Sequence, residues 1–289
     1  MQLGMVGLGR MGGNMRERLR LGGHEVIGYV RTRKDSDVGS LSELVAALST
    51  PRTVWVMIPD GAPTEKAIHE LSGLLDKGDL IVDGGNSNFR DSIRRAGELE
   101  KQGLLFMDAG TSGGVWGLKI GYCLMVGGSD EAFKRMEPAL KTLATEDGYA
   151  HMGPAGAGHF TKMVHNGIEY AMLQAYAEGF EILEASQFDL DLHQVAALWN
   201  HGSVVRSWLL ELAESAFDKD PDLSKIRGYV DDSGEGRWTV FEAINESVPA
   251  PAIAASLFAR FASRQEDSFA MMMIAAIRNE FGGHDVKAQ

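Results

Sequence analysis

The chain has 289 residues, of which 44% are hydrophobic and 24% charged, with a formal net charge of −12. This length suits two domains better than one core, and the acidic balance, without a basic arm or stripe, argues against a nucleic-acid partner. No apolar run approaches a membrane span. Cys123 is the only cysteine, so no intrachain disulfide can form, which fits a reducing cytosol. The chain starts as a strand and not as a signal peptide, and a cytoplasmic protein is expected.

From the N-terminus, QLGMVGL, HEVIGYV, TVWVMIP, DLIVDGG and GLLFMDAG are short apolar runs, and stretches of helical character lie between them near 11–21, 40–48, 63–75 and 89–101. Repeated strand–helix units predict a parallel sheet covered on both faces. A further strand, YCLMVGG, a helix over 130–143 and a segment over 148–152 complete this half. After GPAGAG the strand signals fade and helical patterns run to the end. The expected fold class is α/β, with a Rossmann-type doubly wound parallel sheet over 1–153 and a smaller all-α domain over 154–289.

The first turn, Gly7-Leu8-Gly9-Arg10-Met11-Gly12, is a G-x-G-x-x-G that follows a strand and opens a helix. Such glycines let the backbone approach a pyrophosphate, whose charge is met by the open N–H groups of the helix start. The plainer alternative is a tight turn with no ligand. The second strand ends in Tyr29-Val30-Arg31-Thr32-Arg33-Lys34. An acid there would accept from a ribose 2′-hydroxyl, whereas cations suit a 2′-phosphate, so NADP is expected ahead of NAD. Arg31, Arg33 and Lys34 would equally serve a solvated loop or another anionic cofactor. Met57 and Ile58, closing the third strand, join the candidate cofactor positions.

Two glycine-rich loops, Asp83-Gly-Gly-Asn86-Ser87 and Gly110-Thr-Ser112-Gly113-Gly114-Val115-Trp116-Gly117, follow the fourth and fifth strands. Open α/β sheets bind ligands at this carboxyl edge. The loops read either as holders of hydroxyls or a carboxylate, or as simple turns.

The stretch TKMVHNGIEY over 161–170 carries Lys162, His165, Asn166, Glu169 and Tyr170. At roughly 100° per residue these fall within an arc of about 140° on one helical face. Met163, Val164, Ile168, Ala171 and Met172 occupy the rest, so a helix apolar behind and ionisable in front is expected, bordering a polar cavity. One reading is a structural Lys/Glu set with a core histidine. The other is an acid–base pair, because burial brings a lysine toward neutrality and keeps a glutamic acid protonated.

Taken in order over Gly7 to His284, GLGRMGGN, DGGNS, GTSGGVWG, KMVHNGIEY, GEGRWT and RNEFGGH resemble the 6-phosphogluconate dehydrogenase family, the decarboxylating enzymes of the pentose phosphate pathway, in its short form. The resemblance implies oxidative decarboxylation of 6-phosphogluconate to ribulose 5-phosphate, with hydride passing to NADP. It makes Lys162 the base for the C3 hydroxyl and Glu169 the acid that protonates the enol, with Asn166 beside them. Asn86, Ser112, Gly113, Gly114, His165 and Asn166 match positions contacting the sugar-acid chain, and Asn86 is also counted toward the cofactor. Tyr170, Arg237, Thr239 and Arg260 match the phosphate site. Arg278 and His284 match a tail donated by a second subunit, which implies at least a homodimer built on the helical domain. Three positions depart from the family pattern. Arg237 replaces a lysine, Val115 and Trp116 replace glutamates of the long form, and Val30 stands where short forms carry an acid, which keeps NAD and a deazaflavin such as F420 in view.

Phe269 to Ile277 reads as a packed core helix, its methionines filling irregular gaps. His159 and His165 lack a metal-site pattern such as H-E-x-x-H, so no metal is expected. A β-hydroxyacid dehydrogenase acting on an unphosphorylated acid is the rival, for which Arg237, Arg260, Arg278 and His284 would be superfluous. A non-enzymatic dinucleotide sensor would have little reason to keep Lys162 and Glu169 on one face.

Overall fold

In the computed structural model, residues 1–32 and 35–287 are described. Arg33 and Lys34, used above to weigh the cofactor, lie outside the described residues. The chain divides into two compact units, Met1–His165 and Asn166–Gln289.

Each apolar run of the first unit forms a strand of one seven-stranded sheet, ordered β2-β1-β3-β4-β5-β6-β7. The strands are β1 (Gln2–Val6), β2 (Glu25–Tyr29), β3 (Thr53–Val56), β4 (Leu80–Asp83), β5 (Leu105–Ser112), β6 (Tyr122–Gly128) and β7 (Ala144–Gly153). Between them run α1 (Arg10–Leu21), α2 (Leu41–Ala46), α3 (Ala62–Ser72), α4 (Phe89–Glu100), the short α5 (Gly117–Ile120) and α6 (Asp130–Leu143).

The sheet is parallel, as expected, except at one place: β6 runs antiparallel to β5. Only residues 113–121 join them, as a 3-10 turn (Gly114–Trp116) and α5. A parallel return needs a crossover of a dozen or more residues. β7 then pairs parallel to β6, with α6 as its crossover.

Every residue of β3 and β4 is buried, as a sheet covered on both sides requires. Leu3, Met5, Trp55 and Val82 pack with Met15, Leu19, Met136 and Leu140 of α1 and α6. Val6, Val54, Val56 and Ile81 pack with Leu44, Ile68 and Leu71 of α2 and α3. Alternate residues of one strand thus supply two separate cores.

Helix α7 (Ala157–Glu184, 28 residues) starts in the first unit, and the division falls within it. The second unit continues with α8 (Leu192–Trp199), α9 (Trp208–Lys219), α10 (Glu235–Asn245), α11 (Pro251–Ala262) and α12 (Phe269–Gly282). Among the described residues it has no strand. Its buried core is small, centred on Phe180, Ala196, Leu210 and Phe217.

Two further expectations are corrected here. Helix α12 is not a packed core helix: it has no buried residue, and Phe269, Met271 and Phe281 are 76%, 60% and 74% exposed. The apolar back of α7 is covered only in part, for Met163 is buried while Ile168 and Met172 are 51% and 38% exposed. Apolar composition shows that a face wants cover but not that its own chain supplies it.

Candidate active site

The glycine turn sits where the strand order reverses between β1 and β3, the place at which open α/β sheets bind ligands. Gly7 has φ +94°, a conformation that favours glycine. A Cβ there would strike the Met57 carbonyl and Ile58, and one at Gly12 would strike the Gly7 carbonyl. Gly9 precedes α1, whose first turn carries neither a side-chain cap nor an acid. Leu8 and Met11 are half-buried, Arg10 exposed. The backbone therefore leaves room for a diphosphate at the helix start, and this cradle fits a dinucleotide. Arg31 and Thr32 are exposed just past β2.

One acid near β2 escaped the sequence reading. Asp37 accepts from the Gly28 N–H at 2.7 Å and from Arg20 Nη2 at 2.6 Å, with Arg16 at 3.7 Å. Its charge is already met by cations, and nothing in the spacing of this loop signals that it folds back onto the strand.

The loop after β4 is held by buried ions. Asp83, fully buried, pairs with Arg95 Nη1 at 2.9 Å and accepts from the Ser87 hydroxyl at 2.8 Å. Arg95 Nε in turn meets Glu65 at 2.9 Å. Hydrogen bonds from Arg94 and, to a smaller extent, Arg95 outweigh burial and pull the Glu65 carboxyl down to about 2. Asn86, in the left-handed region at φ +53°, accepts from the Thr111 N–H at 2.9 Å and donates to the Thr111 carbonyl at 3.3 Å. It joins this loop to the end of β5, next to Ser112.

Lys162 is placed by two features of β5. Asp108, fully buried, accepts from the N–H groups of Gly156 and His159 at 2.6 and 2.7 Å. A carboxylate fixed at the start of α7 is favoured by the open N–H groups and dipole there. One residue pair further along β5, Gly110 lies against the Lys162 stem, and a Cβ at 110 would overlap it. Lys162 is 4% exposed, with Nζ 3.5 Å from His165 Nδ1, while His165 Nε2 lies 3.3 Å from the Ser112 hydroxyl. The chain Lys162–His165–Ser112 unites three of the expected site residues. Gly113 and Gly114, at φ +119° and +53°, take a backbone course that suits glycine, and Gly113 and Gly117 lie against the buried Tyr122 ring. Val115 and Trp116 are exposed at the loop tip. Asp108 was missed because an aspartate inside FMDAGT reads as part of a strand.

In the second unit, Asn166 is buried and its amide donates to Glu235. Tyr170, 4% exposed, has its hydroxyl 3.1 Å from the Ser233 hydroxyl and accepts from the Ser233 N–H at 2.9 Å. The Arg260 guanidinium stacks 3.5 Å from the Tyr170 ring centroid and donates to the Asp231 carbonyl at 2.9 Å. The Thr239 hydroxyl donates to the Glu235 carbonyl at 2.9 Å, within α10. Glu169 is half-buried.

Arg237 and Arg278 differ in surroundings. Arg237 grips Asp232 with two bonds of 2.6 and 3.0 Å, and Arg264 joins them at 2.9 Å. Arg237 chiefly, then Arg264, holds the Asp232 carboxyl below the usual range. Arg278 and His284 are exposed, and the latter's contacts are local, its carbonyl accepting from Asn279 at 2.8 Å and its ring meeting Phe281. Ser233, Glu235, Asp232 and Arg264 were not anticipated; the acid in GEGRWT was the available signal for Glu235.

A dinucleotide cradle at a topological switch point, followed by a helix bearing a buried lysine, defines a two-unit dinucleotide-dependent oxidoreductase. The chain belongs to the 6-phosphogluconate dehydrogenase family: the model for the NAD binding domain of 6-phosphogluconate dehydrogenase matches residues 2–153, and that for its C-terminal domain matches residues 158–281. A Bacillus subtilis (strain 168) relative, YqeC, is 46% identical over 293 residues, covering 98% of both chains. The NAD(+)-dependent, decarboxylating 6-phosphogluconate dehydrogenase of Haloferax volcanii is 43% identical over 297 residues, covering 99% of this chain and 98% of that one. Among solved structures, the Plasmodium falciparum 6-phosphogluconate dehydrogenase, studied with its cofactor NADP+ and with its substrate 6-phosphogluconate, aligns with TM-score 0.83 at 26% identity. That alignment covers all of this chain and 66% of the Plasmodium chain. The fold is shared with 3-hydroxyisobutyrate dehydrogenase from Salmonella typhimurium, at TM-score 0.74 and 19% identity over 96% of this chain and 94% of that one.

Proposed function

We infer that this chain oxidatively decarboxylates 6-phosphogluconate to ribulose 5-phosphate and carbon dioxide, with a nicotinamide dinucleotide taking the hydride. The observation that carries the reading is Lys162: buried at 4% exposure, aligned by Gly110 and the Asp108-capped helix start, and within reach of His165. A sequence keeps an amine in such a place at a cost of several kcal/mol, so a role for it is expected.

In this reading Lys162 accepts the C3 hydroxyl proton as hydride leaves C3, and the product is a β-keto acid. The Lys162 ammonium then polarises the ketone, the C1–C2 bond breaks, and its electron pair passes into the enol as carbon dioxide departs. Glu169, two turns further along α7, protonates the enol carbon. Asn86, Ser112, Gly113, Gly114, His165 and Asn166 hold the sugar-acid chain. Tyr170, Arg237, Thr239 and Arg260 take the phosphate, for which guanidinium forks suit better than point charges. Gly7, Leu8, Gly9, Arg10, Met11 and Gly12, with Met57, Ile58 and Asn86, hold the dinucleotide, which supplies the hydride-accepting ring when bound.

Arg31 and Thr32 after β2, with Val30 in place of an acid, favour NADP. The NAD(+)-dependent relative and the F420 alternative make a direct comparison of cofactors the useful one. The working unit is a homodimer or larger, in which Arg278 and His284 complete the neighbour's phosphate site; the uncovered apolar face of α12 supports this. The lone Cys123 suits the cytoplasm to which we assign the activity.

The test is an assay of 6-phosphogluconate with NADP, NAD and F420 in turn, following reduced cofactor and evolved carbon dioxide. NADP should be reduced fastest, with one carbon dioxide per turnover. If 3-hydroxyisobutyrate or a similar acid turned over faster than 6-phosphogluconate, the rival β-hydroxyacid reading would replace this one.

A further inference from the structure

Glu235 is a buried carboxylate to which neither the expected site nor the chemistry above gives a part. It is 6% exposed and stands in the first turn of α10, directly after Gly234, whose φ of +92° bends the chain into the helix. A carboxylate is favoured there by the helix dipole. It accepts from the Asn166 amide and, at 3.4 Å, from the Ser233 hydroxyl. Ser233 in turn touches the Tyr170 hydroxyl through both its own hydroxyl, at 3.1 Å, and its N–H, at 2.9 Å. One acid therefore stands behind two α7 residues, one expected at the sugar chain and one at the phosphate.

A side-chain amide has two faces of opposite character, and either can in principle turn outward. A carboxylate can only accept, so beside Glu235 the Asn166 amide must present its NH2 inward and its oxygen the other way. A neutral neighbour would remove that choice. We propose that Glu235 is a positioning residue for this reaction: it fixes the Asn166 amide with its oxygen turned toward a substrate hydroxyl and, through Ser233, ties that orientation to Tyr170.

This rests on the reading of the substrate given above, and it is tested with four full-length enzymes: wild type, E235Q, N166D and E235Q/N166D. E235Q allows the amide to turn over. It should raise KM for 6-phosphogluconate on the order of 10- to 100-fold, lower kcat less, and leave the dinucleotide Kd unchanged. N166D sets two carboxylates face to face; it should be impaired at neutral pH and recover as the pH falls and one of them takes up a proton. The double variant restores a donor facing a carboxylate and leaves an acceptor oxygen outward, so its KM should fall back below that of N166D.

A wild-type KM in E235Q, or a double variant no better than N166D, would overturn the inference. Should E235Q fail to fold, N166D against the double variant decides alone. Failure of the wild type to turn over 6-phosphogluconate would instead remove the substrate reading, and the same four enzymes assayed on the acid that is turned over would still decide the role of Glu235.

Discussion

The two units treat apolar surface in opposite ways. The first closes on itself, with both faces of its sheet covered by its own helices and a buried ion pair, Arg95 with Asp83, inside it. Among the described residues the second has one small core, no buried residue on α12, and Ile168 and Met172 exposed on α7. A unit that buries its own surface can be read from its own sequence. One that leaves an apolar face exposed cannot, because the signal for burial is the same in both cases.

The largest effect that would sharpen this contrast is on turnover. Lys162→Met should lower kcat by roughly 10²- to 10⁴-fold, the usual worth of a positioned acid or base, while leaving the fold intact by circular dichroism. Mixing that variant with Arg278→Ala chains should restore activity well above either parent, since mixed dimers contain one whole site. No recovery in verified mixed dimers would show that each chain completes its own site.

Next comes the self-sufficiency of the first unit. Arg95→Met strips a buried carboxylate of its cation and should cost about 3–5 kcal/mol of stability in urea unfolding. Arg94→Met, whose side chain is 42% exposed, should cost under ~1 kcal/mol. Equal losses would mean that the Asp83 network is not the anchor described here.

On the other side of the comparison, Met273→Glu would place a charge on the bare face of α12. It should weaken self-association by about 100-fold, read by sedimentation, with little change in the unfolding of the first unit. An unchanged assembly would point to a different interface.

The smallest effect is a pH dependence. The Glu65 carboxyl is held down to about 2 from its usual 4.5, so its contribution is complete above pH 4.5 and is lost as the pH falls toward 2. Its side chain is 43% exposed, so the effect should stay under ~1 kcal/mol. Glu65→Gln should flatten the acid limb of the stability profile by that amount; a profile identical to wild type would assign the acid sensitivity elsewhere.

Much of this was legible in the residues themselves. The glycine turn, the strand runs and the ionisable face of 162–170 each depend on local periodicity, and each appears in the structure as a turn, a strand or a helix. The reversal of β6 was not apparent from repeated strand–helix units, although the short stretch between GTS and YCL contained the reason. Asp37 and Asp108 were invisible for another cause: their partners are backbone N–H groups or distant side chains, and no sequence pattern marks a carboxylate that folds back on a strand or caps a helix far along the chain. Glu235 stood within GEGRWT, but nothing there pointed to its partner Asn166, 69 residues away. Phe269 to Ile277 misled because methionine-rich helices look alike whether neighbours or another copy cover them.

Helix α7 rises about 1.5 Å and turns about 100° with each residue, and the Asp108 carboxylate pins where that count begins. The spacing of Lys162, Asn166 and Glu169 is consequently a matter of phase and not of loop length. Deleting or inserting a single residue between Asn166 and Glu169 would swing Glu169 a quarter-turn or more off its face, whereas an extra residue in a surface connection leaves every angle unchanged. Variation in this chain should therefore accumulate in its connections, while the interval between positions 162 and 169 stays incompressible.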